Sequence, residues 1–128
     1  MTIDEIIVTY DAPEITIVEP AILIIINKLY RHNMPPEKLY DITRGKWVVG
    51  SRRSKAKYAF SVYNGIVRAV YEIEAWHPVM ARSAEQKTQK RWEFDGKIAQ
   101  DMEEKYLYGN VSHRLKIGAQ NPIKYINC

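Results

Sequence analysis

Apolar and polar positions change period several times along the chain, and each change marks an element. Residues 21–26 (Ala-Ile-Leu-Ile-Ile-Ile) form an unbroken apolar run with no polar alternation, which suits a strand buried on both faces; a short buried helix is the alternative. Before it, Ile15-Thr16-Ile17-Val18 is β-branched and lies between Pro13 and Pro20, so a further strand is expected there. Residues 35–45 open on two prolines and end on Gly45, with Leu39 and Ile42 on one face, which predicts a short helix. Residues 46–50 then read as a strand and residues 51–57 as a basic turn.

The clearest local signal is Asn64-Gly65, set between Tyr58-Ala59-Phe60-Ser61-Val62-Tyr63 and Ile66-Val67-Arg68-Ala69-Val70-Tyr71-Glu72-Ile73. A type I′ turn needs positive φ at both central residues, and Asn-Gly between β-rich runs supplies them. The turn pairs Tyr63 with Ile66, Val62 with Val67 and Phe60 with Ala69. Strict alternation then puts Phe60, Val62, Val67, Ala69, Tyr71 and Ile73 on a core face. Ser61, Tyr63, Ile66, Arg68, Val70 and Glu72 fall on a solvent face. Trp76-His77-Pro78 is expected to end that strand, and residues 81–88 to form a polar loop. Residues 90–96 read as a strand with Trp92 and Phe94 on one side. Ile98, Met102 and Tyr106 recur at helical spacing, so residues 99–106 are expected to be helical. Residues 121–127 supply a last strand. About six strands and two short helices predict an α+β fold with a small curled sheet or half-open β-barrel. Residues 1–20 read as an acidic extension and residues 21–128 as a single globular domain.

Charge sharpens this division. The 128-residue chain carries +4, yet its first nineteen residues hold five carboxylates and no Lys or Arg, leaving +9 on the rest. Residues 44–57 carry Arg44, Lys46, Arg52, Arg53, Lys55 and Lys57 with no acid among them. Such a patch suits a polyanion, so DNA or RNA is the expected partner. The lone cysteine, Cys128, rules out an internal disulfide and a cysteine-based zinc site, and it favours a reducing compartment. The longest apolar run is too short to span a bilayer and the acidic start is wrong for a signal peptide, so the expectation is a cytoplasmic protein with no membrane contact.

Catalytic patterns are sparse. Neither a phosphate-binding loop nor a dinucleotide fingerprint occurs. His32, His77 and His113 lack metal-ligand spacing, and no metal or cofactor is expected. Glu72 and Glu74 share a strand face and form a possible acid–base pair, but a wet charged strand is the plainer reading. The chain also holds nine tyrosines and three tryptophans. Trp47 sits inside the basic run and Arg91 adjoins Trp92. Cations beside flat rings are how unpaired bases are held: Lys and Arg meet phosphates while a ring stacks on the base. Arg44, Lys46, Trp47, Arg52, Arg53, Lys55, Lys57, Tyr63, Arg91 and Trp92 are therefore the candidate ligand-binding residues, and none is assigned a catalytic role. The opposing reading makes the tryptophans core residues on short strands.

The string Leu39-Tyr40, Thr43-Arg44-Gly45-Lys46-Trp47, Val49-Gly50, Arg52-Arg53, Ala56-Lys57-Tyr58-Ala59, Val62-Tyr63-Asn64-Gly65-Ile66-Val67-Arg68, Val70-Tyr71-Glu72-Ile73, Trp76, Arg91-Trp92-Glu93-Phe94 and Gly118-Ala119-Gln120-Asn121-Pro122-Ile123 resembles a group of uncharacterised bacterial and phage domains. The likeness runs from near Leu29 to the end and brings no activity with it. More loosely, the element order is similar to PUA-like barrels, including the EVE and ASCH domains. That resemblance implies a small barrel holding RNA or a modified base in an aromatic-lined pocket. The leading expectation is thus a non-catalytic nucleic-acid-binding module that reads a modified or flipped base. The alternative is a small interaction protein that binds and inhibits another protein, its acidic arm beside a basic body serving the contact. An enzyme such as a nuclease ranks third.

Overall fold

A computed structural model describes residues 13–31, 33–79, 91–115 and 122–128. Its strands are β1 (Ala21–Ile25), β2 (Gly45–Trp47), β3 (Tyr58–Tyr63), β4 (Ile66–Val79), β5 (Arg91–Ile98) and β6 (Ile123–Ile126). Two helices accompany them, α1 (Pro36–Arg44) and α2 (Gln100–Tyr106), with 3-10 turns at Ser51–Lys55 and Ser112–Arg114. All six strands join one sheet in the order β2-β5-β4-β3-β1-β6. It is mostly antiparallel, the exception being the parallel pair β1–β3. The expected α+β fold with a curled, half-open barrel is what forms.

The curl is visible in what lies on each face. One apolar cluster draws Ile22 and Ile24 from β1, Trp47 from β2, Ala59 from β3, Ala69 and Tyr71 from β4, Phe94 from β5 and Ile123 from β6. Every strand thus contributes to a single concave interior. Its polar centre is a buried hydrogen bond of 2.7 Å between the Thr43 and Ser61 hydroxyls. The opposite face carries a second cluster, in which Phe60, Val62, Val67 and Val70 pack against Met102 and Tyr106 of α2. Phe60 and Tyr106 meet with ring centroids 5.6 Å apart. Val70 N–H donates to the Glu103 carboxylate and Ala99 N–H to the Val70 carbonyl, which ties the start of α2 to β4.

The Asn64-Gly65 turn forms with both residues at positive φ, 52° and 76°. Tyr63 pairs with Ile66 and Val62 with Val67, as expected. The register then shifts, so that Ser61 faces Ala69 and Phe60 faces Val70, not Ala69. Arg68 is the extra residue, a β-bulge. From Ala69 to Ile73 the side chains of β4 change sides, because alternation restarts one residue late. The expected face assignment therefore fails past Val67: Val70 joins Phe60 on the helix-covered face, while Ala69, Tyr71 and Ile73 line the concave interior. No solvent face exists over this stretch, since Ile66 to Tyr71 are all buried.

Other expectations need smaller corrections. Residues 15–18 form no strand; a lone bridge joins Glu14 to Asn110, while Ile17 is buried in the helix-side cluster. Strand β2 stops at Trp47, and Val48 is exposed. β4 runs through Trp76 and His77 to Val79, paired along its length with β5. Ile98 closes β5 and is exposed, so it is not on the α2 face with Met102 and Tyr106. The loop expected over residues 81–88 lies outside the described residues.

Candidate nucleic-acid interface

A second β-bulge organises the far end of the hairpin formed by β4 and β5. Ile73 pairs with Gly96 and Ala75 with Asp95, which leaves Glu74 as the extra residue. The bulge explains how Ile73 and Trp76, three apart, both reach the concave side of the sheet, where Trp92 also packs. It needs room: a Cβ at Gly96 would come within 2.4 Å of the Glu72 carbonyl oxygen.

Across from the bulge, the Ser51–Lys55 turn lays the Arg53 guanidinium over the Trp92 ring, 3.6 Å from its centroid. Arg53 Nη1 also donates to the Gly50 carbonyl at 2.8 Å, which fixes the plane of the guanidinium. Between the turn and the hairpin lies a cleft of about 370 Å³ lined by Arg53, Ser54, Ala56, Ile73, Glu74, Ala75, Trp76 and Trp92. The Trp76 indole N–H is buried and has no hydrogen-bond partner among the described residues. Native proteins keep few such donors, and each calls for a reason.

The expected site residues divide into groups. Arg53 and Trp92 meet directly. Arg91 adjoins Trp92, and its Nη1 donates to the Lys46 carbonyl at 3.2 Å; both cations are exposed and neither lines the cleft. Lys55 and Lys57 are exposed on either side of the buried Ala56 that lines it. Lys57 also lies over the Tyr58 ring.

The remaining four point elsewhere. Trp47 is only 8 % exposed; its indole N–H donates to the Thr43 carbonyl at 2.8 Å, and the ring fills the core. Arg44 donates to the Phe94 carbonyl and pairs with Asp95, which also receives His77 Nε2 at 2.6 Å. Arg52 stacks over Tyr125 and donates to the Cys128 main-chain oxygen, at the β6 edge. Tyr63 stacks on Tyr30 at 4.4 Å beside Arg68. It lies next to Ile66, ten residues along β4 from Trp76, about 30 Å away at the usual strand rise.

Sequence reasoning missed Ser54, Glu74 and Trp76 as members of one site. A three-residue spacing of apolar positions in a strand, Ile73 to Trp76, was the available signal for the bulge that gathers them. Among the described residues no His, Cys, Asp and Glu cluster could hold a metal ion. No helix among them is long and apolar enough to cross a membrane. No family model, no curated protein and no solved structure matches the chain.

Proposed function

We propose that this chain is a non-catalytic nucleic-acid-binding module that holds one unpaired or flipped base in the cleft at Arg53 and Trp92. The observation that supports it is the guanidinium-on-indole stack lining a nucleotide-sized cleft. Bases released from a helix are gripped by such planes, whether aromatic or guanidinium. Arg91, Lys46, Lys55 and Lys57 are exposed, and on this reading they are the groups to meet phosphates. The likeness to PUA-like barrels belongs to the same proposal, since it too puts a base in an aromatic-lined pocket.

The test is binding of labelled single-stranded DNA and RNA by fluorescence anisotropy across a salt series. The reading expects measurable binding at low salt that falls steeply as salt rises, because bound cations release counterions from phosphates. It also expects weaker binding for Arg53→Ala. Absence of binding at low salt overturns it and leaves the protein-partner alternative in its place.

A further inference from the structure

The cleft also holds a carboxylate. Glu74 is exposed, lines the cleft beside Arg53, Trp76 and Trp92, and makes no ion pair or hydrogen bond with any described residue. Its place there comes from the bulge, which frees it from the ladder; bulges are over-represented beside active sites, where they re-aim a side chain. A basic groove built only to grip phosphates gains nothing from a negative charge in its wall, where it repels the backbone it must hold. The carboxylate makes sense if the ligand brings hydrogen-bond donors to that point.

An ionised carboxylate accepts and cannot donate. The pairing edges of the bases differ in what they offer it. Adenine and cytosine set one amino group beside a ring-nitrogen acceptor. Thymine and uracil set one N–H between two carbonyls. Guanine alone presents two adjacent donors, the ring N1–H and the exocyclic amine, spaced to meet both carboxylate oxygens. Every other base brings a lone pair against the carboxylate, and a site built to accept from donors disfavours a ligand that lacks them. Resting on the reading above, we infer that the cleft selects guanine, with Glu74 as the specificity-determining residue and Arg53 on Trp92 as the stacking platform.

The experiment compares short oligothymidylates that carry a single central guanine, hypoxanthine, adenine or cytosine, read by anisotropy at fixed salt. Guanine should bind about tenfold to a hundredfold tighter than adenine or cytosine, the discrimination usual for a bidentate base contact. Hypoxanthine, which keeps N1–H but lacks the amine, should fall between them. Glu74→Gln should abolish the guanine preference and, by taking a negative charge out of the cleft, should strengthen the binding of plain oligothymidylate. Equal affinity for all four bases overturns the guanine assignment and leaves the nucleic-acid reading standing. Failure to bind any oligonucleotide overturns both. A preference that persists in Glu74→Gln shows that another group reads the base and refutes the role given to Glu74.

Discussion

Trp47 and Trp92 face each other across the β2–β5 ladder, yet truncating them should have opposite signatures. Trp47→Ala removes a ring that is 8 % exposed, packed in the concave cluster and hydrogen-bonded to Thr43. Truncating a buried Trp costs about 3–5 kcal/mol, transfer and cavity terms together. For a domain of this size that is a fall in melting temperature of about 10–20 °C. Trp92→Ala removes a half-buried ring whose outer partner is Arg53. Partial burial and one exposed cation–π contact amount to about 1–2 kcal/mol. Loss of the stacking platform, by contrast, should weaken oligonucleotide binding by about 1–3 kcal/mol, or tenfold to a hundredfold. Thermal melts by circular dichroism and anisotropy titrations on the same preparations separate the two effects. Trp47→Ala should melt far earlier, with its affinity kept well below the melt. Trp92→Ala should melt close to the parent and bind poorly. Equal, large destabilisation in both variants would show that Trp92 is a core ring too and would refute the platform.

Gly65→Val should destabilise by about 2 kcal/mol or more in a urea melt, because φ is +76° and a Cβ there would lie 2.9 Å from Ser112 Cβ; an unchanged midpoint would refute the turn. Arg53→Ala should lower the slope of log affinity against log salt by about 0.7 for each phosphate that Arg53 neutralises, while Arg52→Ala, held at Tyr125 and Cys128, should leave the slope intact; equal effects would refute the division of the basic run. The Asp95 carboxyl is held below the usual carboxylate range, first by the hydrogen bond from His77 and then by Arg44. Its stabilising contribution is therefore present above the ordinary Asp range and lost as pH falls through the lowered value, so melting curves of the parent and Asp95→Asn should converge in acid and separate toward neutrality. A gap between them that does not change with pH refutes this.

The parts of the fold that were legible in the sequence are those set by local chemistry. Asn64-Gly65 specifies its own turn, Pro36 and Gly45 bracket α1, and the isoleucine run of β1 reads as doubly buried because it is. What escaped was the count along β4. Reading faces by alternation assumes an unbroken ladder, and Arg68 and Glu74 each insert a residue into it. One slip moves the side chains after it to the other face, so a correct hairpin still gave wrong faces from Ala69 to Ile73, until the second slip at Glu74 restored the count. The candidate site shows the same limit. Its basic and aromatic members were visible as residue types, but burial separates Trp47 from Trp92, and only the fold does that. Glu74 looked like a wet strand residue because the one hint of a bulge, the three-residue spacing of Ile73 and Trp76, gains its meaning only from the ladder with β5.

The turn between β2 and β3 has one more consequence, for solubility. β2 and β6 are the two edges of the sheet, three and four residues long. The intervening turn reaches toward both: Arg53 covers Trp92 next to β2, while Gly50 N–H donates to the Tyr125 hydroxyl and Arg52 lies over that same ring on β6. Open edges are templates for strands from other molecules, and proteins guard them with short strands and charge. Here one arginine pair, two residues of a single turn, guards both ends. Damage to that turn therefore lays open the outer edges of two strands at once, and a chain with two open edges can extend end to end. Self-association into β-rich polymers is the failure to expect when the turn is cut or lengthened.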